Sequence, residues 1–389
     1  MNRRTSLASL PPAAAILAAA ILAAGCGSAA SQATAPASPA APPSLATSLA
    51  TTTGTWAVTV MGGSAASHNN FWQLFVRPAG ASTWRLATPP GVASNGGLVL
   101  TGLASRSVLA GFRPSQDLAY SPLAVTKDNG KAWSPGLLDA GLADVPGALA
   151  AAPASGHLLA LLANGTTDIS GTGGTRWIRL VTRRELATSR AGARCQPGSV
   201  TAAAFSPSGQ PMLGAGCSHP GTAGIFLQTG RTWQLTGPGL PAAYAHQAIT
   251  VLRLTTTGHT TTALLAAGTG PAERLLAGWS ADSGAHWTLS PPLPANGATL
   301  TSASSGPGSS LAITLSDRHA AAITTATGPW RQLPVLPPGT ATLAPAPSGG
   351  WDALAVHSTR LTIWQAAPGA RTWASAQIIK VPIPFGSSG

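Results

Sequence analysis

An all-β protein built from repeated four-stranded sheets is what this sequence predicts, on three observations. Tryptophan recurs along the chain at near-regular intervals. Each recurring copy follows a glycine-bearing turn and is flanked by strand-forming residues. The composition is rich in Gly, Pro and Thr and poor in charge: of 389 residues, 44% are apolar and 8% charged, against roughly 25% charged in ordinary soluble domains. Thr and Trp favour strands while Gly and Pro punctuate turns.

The first 54 residues read as an address and a tether. Asn2-Arg3-Arg4 precedes an apolar stretch, Ala13 to Cys26, of signal-peptide length and short of the about 20 residues that span a bilayer. LAAGC, ending at Cys26, resembles a bacterial lipobox, with Ala23 where the usual Leu stands. The resemblance implies a signal peptide over 1–25, lipidation of Cys26, and an extracytoplasmic protein anchored to a bacterial cell membrane. Residues 26–54 hold only Ala, Ser, Thr, Pro, Gly, Leu, Gln and the cysteine. Such a segment buries too little surface to offset its ordering entropy and is expected to be a disordered spacer.

The repeat occupies 55–385, with a short tail at 386–389. RPAGASTW ends at Trp84, TKDNGKAW at Trp133, SGTGGTRW at Trp177 and FLQTGRTW at Trp233; SADSGAHW, TTATGPW and AAPGARTW end at Trp287, Trp330 and Trp373. A β-rich period of this length is that of a propeller blade, four antiparallel strands each. Seven copies predict seven blades, with six the alternative if one copy is false. The first blade shows only three strand candidates, and QIIKVPI (377–383) follows the last tryptophan. The C-terminal strand is therefore expected to complete the first blade and close the ring, removing the open sheet edges.

Two copies carry a fuller pattern, Ser/Thr-x-Asp-x-Gly-x-x-Trp: Thr126, Asp128, Gly130, Trp133 and Ser280, Asp282, Gly284, Trp287. They resemble the Asp-box, or bacterial neuraminidase repeat, of sialidase-like propellers. In that turn the carboxylate accepts backbone N–H groups, Gly supplies a positive φ, and Trp buries a large ring. These residues are read as structural.

Cys195 and Cys217 remain once Cys26 is assigned to lipid. They flank two strand candidates joined by SPSG, so a disulfide across that hairpin is expected outside the cytoplasm. The net charge is +12, and six arginines fall in 176–194. With one aromatic in that cluster, a nucleic-acid partner is not expected; an anionic cell-wall polymer, a glycan or a protein is.

Catalytic signals are thin. The resemblance to sialidases would require three arginines, a Tyr–Glu pair and an Asp. GFRPSQD resembles the family's Phe/Tyr-Arg-Ile-Pro element without its Ile, making Arg113 a candidate substrate-binding arginine. Tyr120 and Tyr244, with Glu185 and Glu273, are the remaining candidates for the pair. No metalloprotease, nucleophile-elbow, P-loop or dinucleotide motif occurs, and no cofactor or metal site is expected. The expectation is a noncatalytic surface binding or scaffolding lipoprotein; the alternative is a divergent exo-sialidase-like glycoside hydrolase.

Overall fold

The computed structural model describes residues 48–62, 70–89, 97–103, 107–113, 121–134, 137–139, 146–152, 155–162, 164–171 and 176–382. The signal segment, Cys26 and the tether up to residue 47 lie outside them. The described residues are nearly all β.

Their strands fall into consecutive antiparallel runs of four, covering 48–86, 97–139, 146–181, 197–235, 249–289, 300–332 and 340–380. Within each run the strands pair in chain order, from an inner strand to an outer one. The inner strands of neighbouring runs lie against one another except between the fifth and sixth, where the fifth's inner strand meets the turn at 307–309. The fourth and fifth runs are hydrogen-bonded into one sheet through Gly216↔Thr250 and Cys217↔Ile249.

Each sheet is apolar on both faces, so it needs a neighbour on either side. Between the first and second blades, Trp56, Val58 and Leu74 pack with Leu98, Val108 and Phe112. Between the last and the first, Ala344, Leu354, Leu361 and Ile363 pack with Ala57, Met61, Phe75 and Trp84. The ring is thus closed by a packed seam.

Two expectations are corrected here. The C-terminal strand, Ala374–Lys380, pairs with Arg360–Ala366 and is the outer strand of the seventh blade. It does not complete the first blade. The missing strand comes instead from residues assigned to the tether: Ser48–Thr51 pairs with Gly54–Gly62 through a tight hairpin. Thr51 Oγ1 donates to the Gly54 carbonyl at 2.9 Å in that turn. Being short and hydroxyl-rich, this strand fits the centre of the ring, against the inner strands Gly97–Gly102, Leu300–Ser305 and Thr340–Pro345.

Four of the recurring tryptophans occupy equivalent places. The Trp133 indole N–H donates to the Ala87 carbonyl at 2.9 Å, Trp287 to Thr236 at 2.6 Å, Trp330 to Pro291 at 3.0 Å, and Trp373 to Pro334 at 3.1 Å. Every acceptor lies one or two residues past the outer strand of the preceding blade. The indole is an inter-blade staple, combining apolar burial with one directional bond.

The first blade has no predecessor in sequence, and its staple differs. Trp84 Nε1 donates to Asp352 Oδ2 at 2.9 Å on the seventh blade. Arg77 ion-pairs with the same carboxylate, donates to the Pro345 carbonyl, and stands 4.9 Å over the Trp84 ring. Gln377 bonds both the N–H and the carbonyl of Trp84, each at 2.8 Å. Burial pushes the Asp352 carboxyl up and the Arg77 guanidinium down, each opposed by the other's charge. Arg77→Met should lower stability by about 3–5 kcal/mol, because it leaves Asp352 buried without its counter-ion. Adding Asp352→Leu should restore most of the loss. Denaturant midpoints of the two variants check this; a double variant no more stable than the single contradicts it.

Candidate functional site

The two fuller repeat turns are closed structures. Thr126 Oγ1 donates to Asp128 Oδ1 at 2.9 Å and accepts the Gly130 N–H at 2.8 Å. Asp128 also accepts the N–H groups of Lys131 and Ala132. In the fifth blade Ser280 donates to Asp282 at 2.9 Å and accepts the Gly284 N–H at 2.8 Å. The Asp282 carboxylate takes the His286 backbone N–H at 2.9 Å and faces its ring Nδ1 at 2.6 Å. These donors favour the ionised carboxylates and hold Asp128 low and Asp282 at about 2.

The glycines of these turns have φ of 77° and 92°. A Cβ on Gly130 would come within 2.8 Å of the Ala87 Cβ, and one on Gly284 within 2.9 Å of Thr236 Oγ1. Glycine therefore lets each turn press against the preceding blade where the indole bonds. Both carboxylates are spent on their own turns.

Cys195 and Cys217 form a disulfide, with Cα atoms 4.8 Å apart. It ties the short helix Gly192–Cys195 to the strand Pro211–Cys217. The arginine cluster around it includes a helix, Arg183–Thr188. The signal for it is local: Thr182 caps the Glu185 N–H while Glu185 reaches back to the Thr182 N–H, a T-x-x-E capping box.

The sialidase residues do not assemble among the described residues. Arg113 ends the strand Val108–Arg113, and its side chain, like Tyr120, lies outside them. Glu185 is a helix cap. Tyr244 is buried in a core cluster with Met212, Ile225 and Val251, and burial raises the Glu273 carboxyl. The described residues hold no group of three metal-ligating side chains.

What does form is a crevice of about 390 Å³ between the sixth and seventh blades, lined in part by Arg318, Val335, Trp364, Arg371 and Trp373. Two of its lining side chains are held by hydrogen bonds. Arg318 donates from Nε and Nη2 to the Leu336 carbonyl at 3.0 and 2.6 Å, and Trp373 is held by its bond to Pro334. Val335 is 60% exposed at its edge. Two tryptophans and two arginines are among the residues that line this space, and no Asp or Glu is. A second crevice, about 320 Å³, lies beyond the Leu315–His319 turn and has the opposite character. There Asp317 Oδ2 meets His319 Nδ1 at 2.8 Å. Sequence reading passed over the first crevice because Trp364 stands outside the tryptophan period.

No family model matches the sequence, and neither does any curated protein. Among solved structures, a protein from Lactobacillus plantarum is similar at 10% identity, over 85% of this chain and 97% of that one, with a TM-score of 0.53. A putative 6-phosphogluconolactonase from Bacteroides fragilis is similar at 12% identity, over 86% and 97%, with a TM-score of 0.50. The WD40 β-propeller domain of Doa1 matches at 10% over 79% and 88%, with a TM-score of 0.44. The fold rests on the sheets themselves: successive four-stranded antiparallel sheets with a packed seam between the last and the first make a β-propeller. At these identities the likeness is one of fold alone.

The depressed Asp282 carboxyl makes a pH prediction. Its folded value, about 2, lies below the ordinary value of about 4. Its contribution is therefore complete above about pH 4 and lost as pH falls towards about 2. Asp282→Asn should flatten the fall of the thermal midpoint across that window. An unchanged slope in the variant would contradict the assignment.

Proposed function

We propose that this chain is a noncatalytic lipoprotein, anchored outside a bacterial cytoplasmic membrane through Cys26, whose Asp-box-type, seven-bladed propeller binds an anionic cell-wall polymer or glycan. The observation that carries the reading is the crevice between the sixth and seventh blades. Indole faces at Trp364 and Trp373 suit the apolar C–H face of a sugar ring. Guanidinium groups at Arg318 and Arg371 suit carboxylate or phosphate, which arginine pairs with bidentately. Hydrolysis of a glycosidic bond ordinarily needs two facing carboxylates, and the crevice lining has none. Because Arg318 and Trp373 are already hydrogen-bonded, holding these two adds little ordering cost to binding. The net charge of +12 favours encounter with an anionic wall.

Titration of the full chain with a soluble polyuronate fragment, and with its carboxyl-reduced counterpart, tests the reading. The acidic fragment should bind and weaken with added salt, and the neutral one should bind at least about tenfold more weakly, as expected for loss of a charge-assisted pair. Trp364→Ala and Arg371→Ala should each lower affinity for the acidic fragment by a similar factor. Equal binding of both fragments, or variants that bind as the parent does, would refute the site. Location is read separately: Cys26→Ser should release the protein from the membrane fraction.

A further inference from the structure

Two arginines are deeply buried among the described residues, and their surroundings differ. Arg77 has Asp352. Arg253, 7% exposed on the inner strand Ile249–Thr257, has no acidic partner. Its Nη2 lies 3.5 Å from the Ser48 carbonyl, at the outer limit of a hydrogen bond. Its Nε and Nη1 meet no acceptor, and the buried Ser48 hydroxyl has no partner either. Burial alone, with no opposing charge, pulls this guanidinium to about 10.

The fold does not ask for an arginine here. Arg253 follows a bulge in the inner strand, where the register skips Leu252. The same step occurs in the fourth, sixth and seventh blades, and there the equivalent residues are Ala202, Ser302 and Thr342. Small or hydroxyl side chains satisfy the position elsewhere, so a cation at this one is an addition to the repeat. The Ser48 carbonyl approaches it from the strand Ser48–Thr51, which lies against inner strands from three other blades. A buried cation without a counter-charge is among the costliest arrangements a protein interior can hold.

We propose that Arg253 and the Ser48 hydroxyl bind a small inorganic anion of halide size, chloride, near the axis of the ring. A single-atom anion accepts N–H and O–H donors from any direction and needs little room. Carboxylate and phosphate bring two or more oxygens, each needing its own donor, into a site that is almost closed. The site is separate from the crevice of the proposed function, and neither depends on the other.

The experiment compares thermal midpoints of the full chain at constant ionic strength, with chloride replaced stepwise by gluconate. The parent should gain about 2–4 °C as chloride rises, saturably, as for any ligand of the folded state. Arg253→Met should show no such gain. Equal midpoints in the two salts, a chloride response kept by Arg253→Met, or a response to phosphate or acetate but not chloride would overturn the proposal. Bromide-soaked crystals of the parent read the site without substitution, should the variant fail to fold. An anomalous peak beside the guanidinium supports the proposal, and bromide bound only elsewhere overturns it.

Discussion

A seam that no chain segment crosses decides whether this ring closes. At every other blade boundary the connection is covalent, and at four of them an indole staple reinforces it. Between the seventh and first blades, Arg77 and Trp84 of the first meet Asp352 of the seventh, and Gln377 of the seventh bonds the Trp84 backbone. An apolar seam of equal volume would cost less to bury, since desolvating an ion pair offsets much of its attraction. What the charged group adds is direction. Its carboxylate accepts from a guanidinium and an indole at once, so the first blade can dock in one register only.

The same economy runs through the rest of the ring. At four boundaries a carbonyl just past one blade's outer strand accepts a tryptophan N–H from the next blade. A glycine in the two best-formed turns removes the Cβ that would hold the blades apart. The crevice between the sixth and seventh blades joins Trp373 of the repeat to Trp364, which stands outside the tryptophan period. Arg253 likewise departs from the pattern, in a place its sister blades fill with Ala, Ser or Thr.

That division explains what could be read in the sequence. Trp and Gly recur because the staple needs both, so the repeat and its β character were legible. Ser48–Thr51 was not, because four residues carry no periodicity and its neighbours are the Ala, Ser, Thr and Pro of a spacer. The closing strand was misassigned for a different reason. In each blade the strand after the repeat tryptophan is the outer one, and the same rule applied to Trp373 puts Ala374–Lys380 on the rim of its own blade. The crevice depends on residues brought together from 318, 335, 364 and 371–373, which no local pattern links. The helix at Arg183–Thr188 was announced by its capping box and hidden by the surrounding arginines.

One joint in the ring is unlike the others. Where the fourth and fifth blades share backbone hydrogen bonds at Gly216 and Cys217, the disulfide from Cys195 is anchored on the same residue. Faces that merely pack can slide or tilt by small amounts; strands that share a ladder cannot. Thermal breathing of the ring must therefore concentrate at the remaining boundaries, and this pair of blades will move as a single stiff body around which the others flex.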